Sequence, residues 1–247
     1  MVRVLASAAL IGSLVFLGGC WRDTGSAAAS FDGFRQFAAQ TQDGAELPAS
    51  GEIYLTTSTM PRTLAVCKVQ AVSRHGNQAG IVETVALSDE ELGEISRLGA
   101  QTVGIDAQPL SHLLPPGSTV QEGQLIAAAQ HQNAEALLVV TYDTVRGHDM
   151  WVFPLLFTLG LAPTVNKSCE SRVHGIIVRT GDRSLVFDGS GCDDGWQIAN
   201  GYTADAAAEQ VQARVQRRAF ARLIDRIIEG KNGPDVRAQP EAMMGAW

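Results

Sequence analysis

Cysteine is the residue type in this chain with the clearest capacity to react, because a thiol can carry lipid, form a disulfide or act as a nucleophile. The chain has four cysteines. Cys20 closes an apolar leader that starts with the basic segment 1–3 and ends with Leu-Gly-Gly at 17–19. This order is typical of a secretory signal peptide, with the cut falling just before Cys20. The sequence therefore predicts that residues 1–19 are a removable leader.

The segment around Cys20 resembles the lipobox of bacterial lipoproteins. The resemblance implies that Cys20 becomes the mature N-terminus and carries lipid on its sulfur and its amine. A transmembrane anchor is the alternative, but the apolar run is short for the roughly 20 residues that a span needs. Because Trp21 rather than aspartate follows Cys20, similarity to enterobacterial sorting implies the outer membrane. We expect a lipid-anchored protein that faces the periplasm.

The other three cysteines would then face an oxidising periplasm, where disulfides persist. Cys169 and Cys192 lie in two predicted strands that flank Thr180-Gly181. A two-residue turn would place these cysteines opposite each other, and glycine at its second position suits a type I′ turn. That register has the wider cross-strand spacing, so bridging would need a bulge, and two reduced thiols are the alternative. We predict a Cys169–Cys192 disulfide and a buried thiol at Cys67.

The remaining polar residues carry no catalytic or metal-binding signature. No pair among the five histidines has the i, i+4 helical spacing that a zinc site favours. Ser190 lies in Gly-Ser-Gly rather than in the Gly-x-Ser-x-Gly of a nucleophile elbow. We therefore expect no catalytic residues, no metal and no cofactor. If the protein is an enzyme, its site would be the polar cluster of Asp143, His148 and Asp149.

Segment 151–163 is the most apolar part of the chain after the leader. It is too short to span a bilayer, and its two prolines oppose regular pairing into a sheet. Exposed apolar patches mark interfaces, so we expect a loop that contacts lipid or a partner protein. A connection packed on its own sheet is the alternative. The candidate contact residues are Trp151, Phe153, Leu155, Leu156 and Phe157.

The candidate residues described above lie on or between predicted strands and helices. Runs of apolar and β-branched residues predict strands at 52–57, 63–72, 102–105, 136–145, 166–179 and 183–191. Ser88 begins a helix through a capping box with Glu91, and Gly99 ends it. Further helices are predicted at 118–132, capped by Ser118 or Thr119, and at 203–229.

This order predicts an α/β (α+β) fold, with a mixed sheet of about five strands, helices packed on it and a long C-terminal helix. We expect a signal peptide at 1–19 and a lipidated N-terminus with a flexible tether at 20–50. A single periplasmic domain would follow at 51–230, with a disordered tail at 231–247. The formal net charge of −7 argues against a nucleic-acid partner, because phosphate binding depends on clustered lysine and arginine.

Several short blocks together resemble one family of bacterial lipoproteins, the rhombotarget lipoproteins. The blocks are TLAVCKVQAV at 63–72, PLSHLLPPG at 109–117, AEALLVVTYDT at 134–144, FTLGLAPT at 157–164 and RVQRRAFARLIDRI at 214–227. The strand order is also similar, more distantly, to the N-terminal domain of the Tol-system propeller protein and to the curli-secretion lipoprotein. The resemblance implies an envelope lipoprotein and brings no catalytic residues to carry over.

Our leading hypothesis is a non-enzymatic binding, scaffold or assembly factor that is held to the outer membrane by lipid on Cys20. Its partner would be an envelope protein or a second copy of the chain. The alternative is a periplasmic enzyme of unrecognised type, with a site near Asp143, His148 and Asp149. A catalytic site needs polar groups that converge in a pocket, whereas a binding module needs an exposed apolar patch.

Overall fold

The computed structural model describes residues 21–26, 61–72, 81–102, 105–110, 113–150 and 165–232. The strands in this part of the chain are β1 (Trp21–Ser26), β2 (Thr63–Ala71), β3 (Ile81–Val85), β4 (Asp106–Pro109), β5 (Thr119–Gln121), β6 (Ala136–Met150), β7 (Val165–Arg179) and β8 (Leu185–Ala199). The helices are α1 (Asp89–Gln101), α2 (Glu122–His131) and α3 (Ala204–Asn232).

The strands form a mixed sheet in the order β5-β3-β2-β6-β7-β8, with β1 added beside β6 and β4 beside β2. Strand β2 is parallel to β4 and β6 and antiparallel to β3. The predicted α+β fold with a long C-terminal helix is therefore confirmed. The sheet has eight strands rather than about five, because short segments and part of the expected tether also pair.

The chain forms two compact units, and strands β6, β7 and β8 and helix α3 contribute to both. Among the described residues, the first unit comprises 21–26, 143–150, 165–172 and 192–219. The second unit comprises 61–72, 81–102, 105–110, 113–142, 173–191 and 220–232.

In the second unit, helices cover both faces of the sheet. Cys67 of β2 and Ile176 of β7 belong to one buried cluster with Leu125 of α2. On the opposite face, a Cβ atom added to Gly175 would lie 2.7 Å from Leu223 Cδ2 in α3, so glycine permits this close approach. Burial on both faces explains why β6 opens with the continuous apolar run that the sequence marked as a central strand.

Two contacts in the second unit give the directions of the last three strands. The Thr180 N–H group, just after β7, donates to the Glu135 carbonyl just before β6 at 2.9 Å, so β6 and β7 are antiparallel. The Arg179 N–H group donates to the Ser184 carbonyl at 2.9 Å and closes the β7–β8 hairpin. It follows that β6 and β8 end at the side of the sheet where β7 begins.

In the first unit, β1 is antiparallel to β6, with Trp21 opposite His148. Helix α3 packs on one face of this part of the sheet through Val211 and Val215, which form a small core with Cys169 of β7. This face also contains a polar contact, in which the Thr144 and Ser171 hydroxyls lie 3.1 Å apart and Gln216 Nε2 donates to Thr144 Oγ1 at 3.1 Å.

The predicted capping box of α1 is confirmed. Ser88 Oγ accepts from the Glu91 N–H group at 3.2 Å, and Glu91 Oε2 accepts from the Ser88 N–H group at 2.7 Å. The helix continues two residues past Gly99, so its predicted end is wrong. A Cβ atom at Gly99 would lie 3.2 Å from the Ile105 carbonyl oxygen, which indicates that this glycine permits a close backbone approach within a continuing helix.

Two predicted boundaries before β6 are also wrong. Helix α2 begins at Glu122 after Gln121, and not at Ser118 or Thr119, because the preceding residues form β5 and pair with β3. The strand predicted at 102–105 occurs instead as β4, which runs parallel to β2 and ends at Pro109, where the missing N–H group costs little. The strand predicted at 52–57 lies outside the described residues.

Candidate functional site

A buried polar cluster joins Lys68 of β2, Glu91 of α1 and Tyr142 of β6. Lys68 Nζ lies 2.8 Å from Glu91 Oε1 and 4.4 Å from the centroid of the Tyr142 ring. The Tyr142 hydroxyl donates to the same Glu91 oxygen. Burial, followed by the nearby Glu91 carboxylate, raises the pKa of Tyr142 well above its usual value, so the phenol stays protonated and donates.

Both oxygens of the Glu91 carboxylate in this cluster accept hydrogen bonds from other groups of the protein. One oxygen accepts from Lys68 and Tyr142, and the other accepts from the Ser88 N–H group. The Lys68 side chain is only 16% exposed. A general acid or base must present its reactive atom to a substrate, and these atoms are engaged with one another. The cluster therefore joins α1 to two strands of the second unit and serves its packing.

A cleft of about 620 Å³ opens where β6 begins and β7 ends, in the second unit. Its polar groups are paired mainly with the protein. Gln130 Nε2 donates to the Thr180 carbonyl at 2.6 Å, and Thr180 Oγ1 donates to the Ala134 carbonyl at 2.7 Å. Burial opposes ionisation of Asp182, but the hydrogen bonds from Ser184 lower its pKa. These contacts fix the turn and do not create an acid–base pair.

The strongest candidate for a functional surface is an exposed apolar strip in the first unit. It comprises Trp196, Ile198 and Tyr202, whose side chains are 64%, 54% and 72% exposed. We call these three residues the β8 strip. Single exposed hydrophobic residues are common, but neighbouring large ones indicate an interface with a partner or a membrane.

The geometry of β8 explains why Trp196 and Ile198 face outward. A Cβ atom at Gly195 would lie 2.9 Å from Val215 Cγ2, and Gln197 accepts from Arg214 Nη2 at 3.0 Å. These two residues therefore face α3. Because side chains alternate along a strand, the intervening Trp196 and the following Ile198 lie on the face away from the helix.

A polar turn after β8 fixes the third residue of the strip. Asn200 Oδ1 accepts from the backbone N–H groups of Tyr202 and Thr203, at 3.0 and 2.9 Å. This side-chain turn leads directly into α3, whose first residue is Ala204. Tyr202 is therefore held beside the end of β8 by the start of a long helix.

The predicted Cys169–Cys192 disulfide is not formed, and this prediction is wrong. Cys169 is buried against α3 with Val211 and Val215, whereas Cys192 is exposed. The β7–β8 turn runs through Ser184 rather than through two residues alone, so the strands adopt a different register. The two thiols face opposite sides of the sheet. Cys67 is a buried thiol, as predicted.

The cysteine arrangement predicts selective labelling. In the mature Cys20→Ala chain at neutral pH, maleimide should modify Cys192 readily and the other two cysteines only after denaturation. The thiolate is the reacting species, and burial raises the pKa of Cys67 to about 12 and also raises the pKa of Cys169. Mass spectrometry of labelled peptides would measure this. Equal native labelling of Cys169, or a bridged Cys169–Cys192 peptide, would contradict the structure.

The alternative enzymatic site is not assembled by the structure. Asp143 and His148 lie five residues apart on one continuous strand, which corresponds to roughly 16 Å and places their side chains on opposite faces. The exposed Asp143 is in the middle of β6 rather than at its end. Asp149 belongs to the same strand, and its backbone is one residue before the strand end at Met150. The proposed polar cluster is therefore wrong for Asp143 and His148.

The predicted tether at 20–50 is wrong in its first part. Residues Trp21–Ser26 form β1 and pair with β6. Strand β2 pairs with β6 only as far as Thr141, so the later part of β6 has an edge at which β1 adds. Cys20 and the predicted contact loop of Trp151, Phe153, Leu155, Leu156 and Phe157 lie outside the described residues, and their roles stay predictions.

No group of three His, Cys, Asp or Glu side chains within the described ranges is placed to hold a metal ion. None of the helices there combines the length and apolar character needed to cross a bilayer.

Comparisons with known proteins show distant similarity to solved structures. No family model matches the chain, and no curated protein matches it. A variant of the PelC dodecamer from Paraburkholderia phytofirmans is 15% identical with a TM-score of 0.30, over 68% of this chain and 99% of PelC. The hypothetical protein CT253 from Chlamydia trachomatis is 12% identical with a TM-score of 0.31, over 68% of this chain and 96% of its own. Neither similarity bears on function.

The β8 strip was not predicted from the sequence. The predicted strand stopped at Gly191, because the following residues are rich in glycine and aspartate. The available signal was the period of two in which Asp194, Trp196 and Ile198 share one face. Two large apolar residues at alternate positions beyond a presumed strand end should have extended that strand.

Proposed function

We propose that this chain is a lipid-anchored lipoprotein of the outer membrane that acts as a non-enzymatic binding, scaffold or assembly factor facing the periplasm. The observation that carries this proposal is the β8 strip, because Trp196, Ile198 and Tyr202 expose large apolar side chains on one unit. A binding surface accounts for such exposure. The strip is a physical candidate for the contact through which the protein associates with other envelope components.

The anchoring half of the proposal is supported by sequence and by chain connectivity. Cys20 follows Leu-Gly-Gly at the end of an apolar leader, and the next residue, Trp21, already belongs to strand β1. Lipid on Cys20 would therefore attach close to a folded unit. Similarity to the rhombotarget lipoproteins is part of the same proposal, since that resemblance also implies an envelope lipoprotein.

The chemistry of the described polar clusters supports binding more than catalysis. The Lys68–Glu91–Tyr142 cluster is buried and internally hydrogen-bonded, and the alternative pair of Asp143 and His148 does not converge. In contrast, the strip presents apolar surface to solvent. We therefore favour association as the task of the protein.

The proposal predicts that the β8 strip holds the protein on the envelope even without lipid. The mature Cys20→Ala chain, exported behind an ordinary secretory signal, should co-sediment with isolated envelopes. Trp196→Ser combined with Ile198→Ser should lower that retention by about tenfold. Each of these side chains would contribute about 1 kcal/mol or more to the free energy of binding when it becomes buried. Immunoblotting of sedimented and soluble fractions measures the effect.

Leu113→Ser provides a matched control, because Leu113 is also a large exposed hydrophobic residue but belongs to the second unit. It should leave envelope retention unchanged. The melting temperature of both variants should stay near that of the parent, because all three side chains are already exposed. Equal retention of the strip variant and the parent would contradict the proposed binding role.

A further inference from the structure

The β8 strip lies at a particular end of the sheet in the first unit. Strands β6 and β8 end there, at Met150 and Ala199, and β7 begins there at Val165. Both Cys169 near the start of β7 and Gly195 near the end of β8 lie against Val215 of α3. The strip is therefore beside the start of β7, and not at the side of the sheet where the β7–β8 turn lies.

The N-terminal strand brings the lipidation residue to this same end. Trp21 pairs with His148, two residues before the end of β6. Trp21 is bonded directly to Cys20. From β1 to β8 the sheet crosses β6 and β7, which corresponds to about 14 Å at ~4.8 Å per strand. A lipid attached at Cys20 and the side chains of the strip would therefore be separated by only the width of a few strands.

We infer that the β8 strip docks on the surface of the lipid bilayer, with Trp196 and Ile198 in the interfacial region and Tyr202 beside them. The inference rests on the proposed lipid anchor and names the partner of the strip. The anchor would hold this sheet end at the membrane, since attachment through one residue gives the strip a high effective concentration at the lipid surface. Tryptophan and tyrosine suit this position, because their rings are apolar and their polar atoms reach headgroups and water.

The charge around the strip specifies the kind of membrane binding. Asp194 is exposed on the same face of β8, two residues before Trp196, and the whole chain has a formal net charge of −7. Negative charge opposes attraction to anionic lipids. Docking therefore depends on apolar contact, and it should be at least as strong on zwitterionic lipid as on mixtures that contain anionic lipid.

Pure lipid vesicles test this inference without any protein partner. The mature Cys20→Ala chain should float with phosphatidylcholine vesicles, and the combined Trp196→Ser and Ile198→Ser variant should bind at least about tenfold more weakly, while Leu113→Ser binds like the parent. Adding phosphatidylglycerol should not strengthen binding. Tryptophan emission of the lipidated chain should be quenched by brominated phosphatidylcholine, and Trp196→Phe should reduce that quenching.

The outcomes separate this inference from the proposed function. If envelope retention depends on the strip but vesicle binding and quenching do not, the strip binds an envelope protein, and bilayer docking is overturned. If crosslinking shows strip-dependent dimers without vesicle binding, the occupant is a second copy, and docking is again overturned. If retention on envelopes is independent of the strip, the proposed binding role itself fails. Loss of vesicle binding only in the strip variant supports docking.

Discussion

Replacing Cys20 with alanine should abolish incorporation of labelled palmitate into this chain. The prediction follows from the Leu-Gly-Gly-Cys end of the leader, because the cysteine sulfur is the atom that would carry the lipid. The same change in a chain exported by an ordinary signal should lower the fraction of the protein that is found on the envelope, and the fraction that remains there should depend on the β8 strip. Labelling followed by fractionation measures both effects.

Cys192→Ala is the matched control for this experiment. Cys192 is also an exposed cysteine in the first unit, but nothing in its surroundings resembles a lipobox. Its replacement should leave palmitate incorporation unchanged. Unchanged labelling of the Cys20→Ala variant would reject the lipoprotein assignment, and with it the outer-membrane address and the bilayer partner of the β8 strip.

Strand β1 limits how far the proposed lipid anchor would let the protein extend from the membrane. A flexible tether would let the protein move tens of ångströms from the membrane, since the reach of a disordered chain grows with its length. Here the backbone pairs with β6 from Trp21 onward, one residue after Cys20, the proposed attachment point. The attached lipid would therefore hold the first unit near the bilayer surface instead of allowing it to extend away from it.

The sequence predicted those elements whose side-chain pattern matches their environment. Strand β2, the central strand β6 and the long helix α3 have strong apolar periodicity, and they occur within a few residues of their predicted positions. The cap of α1 was found because Ser88 and Glu91 have the spacing of a capping box. Local chemistry and periodicity are sufficient to predict an element where that element buries its own apolar face.

Glycine is involved in two of the boundary errors. Helix α1 continues past Gly99, and the strand predicted to end at Gly191 continues through Gly195 to Ala199. A Cβ atom at Gly189 would lie 2.6 Å from Phe187 Cζ, and one at Gly195 would lie 2.9 Å from Val215 Cγ2. These positions need close approach rather than a turn. The sequence alone does not distinguish the two uses, because the neighbouring side chain is set by tertiary packing.

The cysteine error and the missed strand β1 have the same origin in long-range pairing. The β7–β8 turn is longer than two residues. Thr180 in this turn is hydrogen-bonded to Ala134 and Glu135 near the start of β6, and Arg183 adopts a positive φ of 59°. Strand β1 has the sequence WRDTGS, which lacks an apolar period. An available edge of β6 specifies this strand, and local propensity does not.

A large loss of stability is expected when the Lys68–Glu91–Tyr142 cluster is disrupted. Glu91→Leu should reduce the free energy of unfolding by about 3–5 kcal/mol, because removing one member of a buried ion pair leaves the other charge without compensation. Lys68 would lose its carboxylate partner at 2.8 Å, and the buried Tyr142 hydroxyl would lose the acceptor to which it donates. Urea unfolding of the mature chain, followed by circular dichroism, measures the change.

Two further variants separate the ion pair from the helix cap, since Glu91 contributes to both. Ser88→Ala removes the cap acceptor alone and should cost about 1 kcal/mol. Combining Glu91→Leu with Lys68→Met replaces both charges by apolar groups of similar size, and this pair should recover much of the lost stability. A Glu91→Leu variant no less stable than Ser88→Ala would show that the cluster contributes little beyond the cap. Because the cluster belongs to the second unit, vesicle binding through the β8 strip should persist in every variant that folds.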